Sequence, residues 1–172
     1  MSDGMKRDEA AVSIRPAEES DVAAIWGILE PVFRAGETYP LPREISEADA
    51  LAFWMANGHE VFVAQDRDGK MLGTYFLRAN QRGGGAHVAN CGYVTATRAN
   101  GRGVARKMCG HSLGHAKARG FRAMQFNFVV STNERAVRLW ESCGFRIVGR
   151  LPAAFQHPRL GFVDALVMYQ EL

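Results

Sequence analysis

The chain of 172 residues carries a net charge of +3, with 47% hydrophobic and 23% charged residues, which is ordinary for one globular domain with a single substantial core. No run of Lys or Arg accompanies this mild positive charge, and no stretch approaches the roughly 20 apolar residues that cross a bilayer, so we expect neither a nucleic-acid partner nor a membrane. Cys91, Cys109 and Cys143 lack the spacing of metal ligands, which indicates reduced thiols, a cytoplasmic protein and no metal site.

The chain begins with a polar segment, residues 1–11, which we expect to be disordered, and residues 12–172 are expected to form one domain. Alternation at Val12–Arg15 predicts a first strand, closed by Pro16. Ser20 is typical of a helix cap. The apolar residues that follow it lie at helical spacing: Val22, Ile25, Trp26, Leu29 and Phe33.

The next segments predict a loop, a helix and a hairpin. Gly36–Arg43 holds two prolines and is expected to be a loop. Ser46–Asp49 resembles a capping box and begins a second helix, which ends at Gly58. An Asp-Gly turn then separates two apolar runs, as in a β-hairpin: Val61–Ala64 and Met71–Leu77.

The second half of the chain alternates strands and helices. His87–Thr95 and Ala123–Val129 predict the fourth and fifth strands, and the long helix between them stops at Gly120. Asn133 opens a further helix. Two last strands are expected around a loop at residues 152–161: Phe145–Val148 and Phe162–Tyr169. This order predicts an α/β fold with a mixed sheet of about seven strands and about four helices.

The loop between the fourth strand and the long helix, Asn100–Ala105, has the character of a phosphate cradle. The first turn of a helix has N–H groups without helical partners, and the macrodipole adds partial positive charge there. Gly101 and Gly103 let this backbone close around phosphate oxygens, where a Cβ would collide. Arginines on or beside the turn add charge: Arg98, Arg102 and Arg106. The alternative is a plain strand-to-helix turn whose glycines serve geometry alone.

Two common phosphate motifs are absent from this loop. A Walker loop needs Gly-Lys-Ser/Thr, which does not occur here. A dinucleotide fingerprint needs a third glycine, and Arg106 stands in that position. The residues therefore predict an anion site without naming a nucleotide.

Two motifs together carry a family resemblance. Arg98–Gly103 fits the pattern Arg/Gln-x-x-Gly-x-Gly/Ala, and Asn133–Phe145 fits roughly Asn-x-x-Ala-x-x-Leu-Tyr-x-x-x-Gly-Phe. In these motifs, in this order, and in the opening Ile14–Ala17, the chain resembles the GNAT acetyltransferase superfamily over essentially residues 12–172.

The resemblance implies a V-shaped splay between the fourth and fifth strands that admits the pantetheine arm of acetyl-CoA. That arm would bond to the backbone near Val94 and Thr95, and an N–H near Val94 would hold the reaction's oxyanion. Arg98 would lie at the entrance. The pyrophosphate would rest on the loop: Asn100, Gly101, Arg102, Gly103, Val104 and Ala105.

The second motif departs from the family pattern at Trp140, in the cofactor-binding segment. Many relatives place a Tyr there to protonate the leaving thiolate, and an indole N–H has no useful acidity at neutral pH. Either another tyrosine supplies the proton, or a thiolate of pKa about 8.5 leaves with little help. The candidate tyrosines are Tyr39, Tyr75 and Tyr93.

Three asparagines, Asn90, Asn127 and Asn133, lie in or just after the two splayed strands. A strand-interior Asn is a depleted choice, and an unpartnered buried amide costs about 1–3 kcal/mol, so each needs a partner in the protein or in a ligand. Their context and spacing resemble the GNAT branch of the yeast proline-analogue acetyltransferases, which acetylate azetidine-2-carboxylate. The resemblance implies that Asn90 orients the substrate while Asn127 and Asn133 hold the cofactor.

The acceptor side is predicted less sharply. Glu37-Thr38-Tyr39 resembles the substrate loop of phosphinothricin-type acetyltransferases over a short match. Cys91 is expected to pack in its strand, because transfer is direct in the family. The leading hypothesis is acetyl transfer from acetyl-CoA to a small amino-acid-like amine, such as a toxic proline analogue. The alternatives are a GNAT enzyme acting on phosphinothricin-like compounds, protein or peptide amines or aminoglycosides, and a non-catalytic CoA-binding module. A homodimer is an open expectation, since superfamily members often dimerise.

Overall fold

The computed structural model describes residues 12–172, and the prediction for residues 1–11 lies outside that range. Seven strands form one sheet in the order β1-β2-β3-β4-β5-β7-β6. The strands are β1 Ser13–Pro16, β2 Glu60–Gln65, β3 Met71–Ala79, β4 Val88–Thr95, β5 Ala123–Val130, β6 Arg146–His157 and β7 Gly161–Glu171. The four α-helices are α1 Val22–Ala35, α2 Glu47–Trp54, α3 Val104–Ala118 and α4 Glu134–Ser142. The predicted mixed α/β architecture is confirmed.

The helices cover both faces of the sheet. On one face, the Trp54 indole of α2 donates to the Thr74 hydroxyl and packs edge-on against Phe76. On the other, Tyr93 hydrogen-bonds Ser112 of α3 and packs against Trp140 of α4. Alternate residues of β3 and β4 serve opposite faces, as the period of a strand requires. Hydrophobic core residues therefore pack on both faces of the sheet.

The start of α1 differs from the prediction. Ser20 lies inside a short 3-10 turn, Glu19–Asp21, and does not cap the helix. The Asp21 carboxylate replaces it by accepting from the Glu18 N–H at 2.8 Å, while the Asp21 N–H donates to the Glu18 main-chain carbonyl at 2.9 Å. A carboxylate and a main-chain carbonyl satisfy the donors that one hydroxyl was expected to satisfy.

The end of the sheet also differs, because β6 is longer than predicted. The expected loop at residues 152–161 is strand as far as His157, and only the turn at residues 158–160 remains. A register shift between Leu151 and Phe155 leaves Ala153 at φ +50°. Proline is tolerated on an edge strand at a bulge, and Pro152 occupies such a place, so its presence did not mark a loop.

The fourth and fifth strands separate soon after they meet. They pair in parallel only at Val88 with Ala123 and at Ala89 with Met124. A second irregularity lies between Phe126 and Val129, where β5 bulges against β7. The strands therefore diverge from Asn90 onward, and the predicted V-shaped splay is confirmed.

Candidate functional site

A cavity of about 1220 Å³ occupies the splay. Its walls are the loop after α1, the β4 and β5 edges, the loop that precedes α3, and α4. Such a single large concave site is the usual position of a ligand pocket. The predicted residues that line it are Glu37, Thr38, Tyr39, Asn90, Val94, Thr95, Asn100, Gly101, Gly103, Val104, Ala105, Asn127, Asn133 and Trp140.

The glycine loop has the geometry of a cradle. Gly101 and Gly103 adopt φ of +81° and +75°, a left-handed conformation that glycine adopts without strain. Gly103 caps α3 without a side chain, and the first helical donor to find a partner is the Lys107 N–H, which bonds Gly103. A Cβ at Gly103 would meet no protein atom within 4 Å. The loop therefore turns free N–H groups and open space toward the cavity.

Of the three arginines expected around this loop, only Arg106 lines the cavity. The Arg98 guanidinium donates to the Met71 carbonyl and is not part of the cavity wall, so the structure does not place it at the cavity entrance as predicted. Arg102 is exposed and, among residues 12–172, is not part of the cavity wall. The arginines that line the cavity near this loop are Arg106 of α3 and Arg135 and Arg138 of α4.

Arg135 lies beside the glycine loop and was not predicted. One of its guanidinium nitrogens lies 3.9 Å from the place where a Cβ on Gly101 would stand. Arg135 sits on α4, which follows β5, so only the tertiary fold brings it over the loop. The one sequence signal was its place in the first turn of the second motif.

Asn90 lies at the apex of the splay. It is 8% exposed, and its side-chain Nδ2 donates to the Gln125 carbonyl on β5 at 2.8 Å. Among residues 12–172, no donor bonds its Oδ1, and the residue lines the cavity. The amide thus has one end fixed by protein and one acceptor left for a ligand.

The other two asparagines have protein partners as well. Asn127 Nδ2 donates to Asn80 Oδ1 at 2.7 Å, and Gln125 donates to Asn127 Oδ1 at 2.9 Å. Asn133 caps α4, with Oδ1 accepting from the Ala136 N–H at 3.3 Å. The internal partners foreseen as the plain alternative therefore exist for all three, although each residue also borders the cavity. Asn80 was not predicted.

The backbone of β4 corrects the expectation for Val94. Val88 accepts from the Asn80 N–H, and Ala96 donates to the Leu72 carbonyl. In an antiparallel ladder the main chain of alternate residues faces the same neighbour, so Val94 pairs with Thr74 of β3. The N–H groups that face the splay belong to Cys91, Tyr93 and Thr95, and the oxyanion donor cannot be Val94.

Of the three tyrosines named as possible acids, two have hydroxyl groups that hydrogen-bond α3. The Tyr75 hydroxyl lies 2.7 Å from His111 Nδ1, and the Tyr93 hydroxyl bonds Ser112, both on α3. Tyr39 lines the cavity and donates to the Tyr93 carbonyl at 3.0 Å. Burial raises the pKa of Tyr39 above its ordinary value, which makes it a weak proton donor.

Cys91 and Trp140 also belong to the cavity wall. Burial raises the pKa of the Cys91 thiol to about 12, so it stays protonated and is a poor nucleophile at neutral pH. Trp140 is 9% exposed and packs against Tyr93 and Phe126 with ring centroids 5.0 and 5.1 Å away. Its indole therefore forms an apolar part of the cavity wall.

The wall opposite the glycine loop carries charged groups that sequence reasoning had partly missed. Glu37 forms an ion pair of 2.6 Å with Arg159. Arg78 and His59 also line the cavity and were not predicted. Burial lowers the pKa of His59, and its Nδ1 lies 2.9 Å from the Trp54 carbonyl.

Among residues 12–172, no helix is long and apolar enough to cross a membrane.

Comparison with known proteins gives the family. A model described as the acetyltransferase (GNAT) family matches residues 12–145. N-acetyltransferase aca1 of Schizosaccharomyces pombe is 30% identical over an alignment of 148 positions that covers 77% of this chain and 71% of that relative. A GCN5-related N-acetyltransferase from Kribbella flavida has 42% identity and a TM-score of 0.90, covering 94% of this chain and 98% of that one.

A more distant structure shares the fold. The phosphinothricin acetyltransferase of Sinorhizobium meliloti, solved with acetyl-CoA, is 21% identical with a TM-score of 0.81, covering 94% of this chain and 88% of that one. The family model spans most of the chain, and so the chain belongs to the acetyltransferase (GNAT) family.

Proposed function

We propose that this chain transfers the acetyl group of acetyl-CoA to the amine of a small amino-acid-like molecule. The observation that carries this proposal is one continuous cavity that joins the glycine cradle to the Asn90 amide. The cradle suits a pyrophosphate, and the amide at the apex suits a small polar acceptor. A donor and an acceptor bound at the two ends would meet inside the splay.

The residues of the cofactor end fit acetyl-CoA, which supplies the acetyl group when bound. Free N–H groups at Gly103 and Val104, together with the Arg135 guanidinium, match the charge and shape of a pyrophosphate. The main chain of Thr95 faces the splay and offers strand-like bonds to an amide-bearing arm. Asn133 retains its Nδ2 for the same ligand, since only its Oδ1 caps α4.

The acceptor end accounts for the transfer step. The acceptor ammonium must lose a proton before attack, and water takes it, because Asn90 is not a base. The amine nitrogen then bonds the acetyl carbon, the carbon–sulfur bond breaks and the thiolate leaves, while one proton of the attacking nitrogen passes to water or to the thiolate. Asn90 Oδ1 orients the amine, and the Tyr93 or Thr95 N–H stabilises the developing oxyanion.

A proline analogue is the acceptor we favour within this class. Its support is the spacing of Asn90, Asn127 and Asn133 and their common position on the cavity wall. The short Glu37-Thr38-Tyr39 match keeps phosphinothricin-like compounds as the alternative, since those residues form the facing wall. Polycationic acceptors fit poorly, because the cavity wall carries the positive charge of Arg78. Glu37 is the carboxylate that lines the cavity among the described residues, and it is already paired with Arg159.

A panel of acceptors tests the proposal. Release of free CoA thiol is measured with azetidine-2-carboxylate, phosphinothricin, methionine sulfone, a peptide and an aminoglycoside. We expect release with the first three only. Release with the peptide or aminoglycoside alone would overturn the acceptor class. Tight acetyl-CoA binding with no release from any amine would support a non-catalytic module instead.

We also propose that the chain forms a homodimer through the β6–β7 hairpin. Large apolar side chains are exposed on this hairpin and its turn, which a monomer rarely tolerates: Ile147 43%, Val148 55%, Leu151 39%, Leu160 61% and Phe162 70%. As the free edge of the sheet, β6 can pair with the same strand of a second copy about a twofold axis. Analytical ultracentrifugation tests this, with Val148→Glu expected to give monomers and a monomeric unsubstituted protein contradicting it.

A further inference from the structure

The Arg78 guanidinium is a cation inside the cavity without a protein counter-ion. Arg78 lies on β3, is half-buried and lines the cavity wall. Among residues 12–172, no carboxylate forms an ion pair with it and no acceptor takes a hydrogen bond from it. A partly desolvated cation is unfavourable unless an anion pairs with it. The position therefore suits an anionic group of a ligand.

The cofactor is an unsuitable source of that anion. Arg78 is opposite Asn90 in the β3–β4 register, at the beginning of β4. The glycine loop follows the other end of β4, and the strand covers about 17 Å between Asn90 and Thr95. Arg106, Arg135 and Arg138 already supply the charge at that end. Arg78 thus belongs to the acceptor end of the cavity.

The neighbours of Arg78 do not neutralise it. Glu37, the carboxylate on the facing wall, is paired with Arg159 at 2.6 Å. Burial lowers the pKa of His59, and the nearby charge of Arg78 lowers it further, so this imidazole is neutral at pH 7. Phe53 and Phe76 complete the wall with apolar surface. An anion bound here meets one cation and no competing charge.

Asn90 places a hydrogen-bond acceptor beside Arg78, on the same face of the sheet. Directly opposite residues of an antiparallel hydrogen-bonded pair have Cα atoms about 5.5 Å apart, and Arg78 and Asn90 form such a pair. Asn90 Oδ1 is the acceptor free to face an amine, because Nδ2 is bound to Gln125. A cation and a hydrogen-bond acceptor that extend from neighbouring backbone positions on one face of the sheet suit the carboxylate and the amine of one α-amino acid.

We propose that Arg78 binds the carboxylate of the acceptor, and that the acceptor is a free α-amino or α-imino acid whose carboxylate is required. This inference rests on the acetyltransferase function proposed above. It excludes carboxyl-blocked amino acids, lysine side chains and peptide amino termini as good acceptors, since none presents a carboxylate beside the reacting amine.

Matched acids and esters test the inference. Acetylation of azetidine-2-carboxylate and methionine sulfone is compared with that of their methyl esters, in the unsubstituted protein, in Arg78→Met and in the control Arg82→Met. Arg82 is an exposed arginine on the β3–β4 loop. We expect Arg78→Met to lower kcat/KM for the acids about 50-fold, mostly through KM, as loss of one charged hydrogen-bonded contact predicts. Its rates with the esters should change less than about threefold, the scatter of such measurements.

Binding measurements separate the two proposals. Saturation-transfer NMR of the same acids with the protein and CoA should show contact that Arg78→Met removes and Arg82→Met retains. Equal rates for acids and esters in the unsubstituted protein, or equal losses for both in Arg78→Met, would overturn the role of Arg78 while acetyl transfer itself stands. Failure of acetyl-CoA to bind the unsubstituted protein would instead overturn the proposed function.

Discussion

The side-chain amide of Asn90 donates a 2.8 Å hydrogen bond to the main-chain carbonyl of Gln125, one residue beyond the last ladder pair between β4 and β5. The bond continues the contact between the two strands where their backbones have stopped pairing. It also fixes the amide so that Oδ1 faces the cavity. One side chain therefore both closes the apex of the splay and presents an acceptor to the substrate end.

Replacement of Asn90 by Ala is expected to lower kcat/KM about 100-fold, the effect of losing one orienting group at the reacting centre. The dissociation constant for acetyl-CoA should change less than about threefold, because the cradle lies at the other end of β4. Steady-state kinetics and calorimetric titration measure the two quantities. Asn57→Ala, in an exposed turn, is the control. A normal rate in Asn90→Ala would remove this residue from the site.

Gly103→Ala is expected to weaken acetyl-CoA binding at least about tenfold, because a Cβ would enter the space left for phosphate oxygens. The matched control is Gly69→Ala in the β2–β3 turn, where φ is +78° and a Cβ would also meet no protein atom within 4 Å. Both substitutions place alanine in the left-handed region and should each reduce the free energy of unfolding by about 1–2 kcal/mol. Equal acetyl-CoA affinity in the two variants would contradict the cradle.

The sequence predicted the secondary structure and the family well because these depend on local pattern. The glycine loop and the Asn133 cap can be recognised in the sequence by residue type at fixed spacing, and the structure places both on the cavity wall. The family expected from the two motifs is confirmed. The splay follows from that family and is seen in the two-pair ladder between β4 and β5.

The features that the sequence did not predict depend on which way a side chain or a main-chain group points in the folded protein. Arg98 lies beside the loop in the chain but points to Met71, whereas Arg135 comes from a different helix. Val94 is adjacent to the residues whose N–H groups face the splay. The pairing of β4 with β3 decides which alternate residues of β4 turn their main chain toward the splay, and the sequence does not show that pairing. Arg78 stands in an otherwise apolar strand, and its meaning depends on the register that aligns it with Asn90.

Stability should depend on pH through Asp21, which joins β1 to the start of α1. Arg15 donates two hydrogen bonds to its carboxylate, at 2.7 and 2.9 Å. These bonds hold the pKa of Asp21 below its usual range, and the Glu18 N–H lowers it further. A lowered folded-state pKa stabilises the fold above the unfolded value of about 3.9, and this contribution is lost as the pH falls through the folded-state pKa.

Asp21→Asn should therefore lower the free energy of unfolding by about 2 kcal/mol at pH 7. The deficit should shrink as the pH falls below about 4. Urea denaturation of both proteins across this range measures it. Asp68→Asn, an exposed turn residue, should cause little change. A deficit that stays constant down to acid unfolding would show that the amide acts by packing and not by charge.

The placement of Trp140 and of the three candidate tyrosines leads to a prediction about the pH dependence of the reaction. Trp140 packs as an apolar part of the cavity wall, Tyr75 and Tyr93 bond α3, and burial raises the pKa of Tyr39. A thiolate of pKa about 8.5 that leaves without a protein acid gives a kcat/KM that rises with pH and then levels, instead of a bell-shaped profile. Trp140→Phe should keep kcat within about threefold and reduce the free energy of unfolding by about 1–2 kcal/mol, because it leaves a space beside Phe126. A tenfold fall in kcat at unchanged KM, or a descending limb in the unsubstituted protein, would show that a group in the site protonates the leaving thiolate after all.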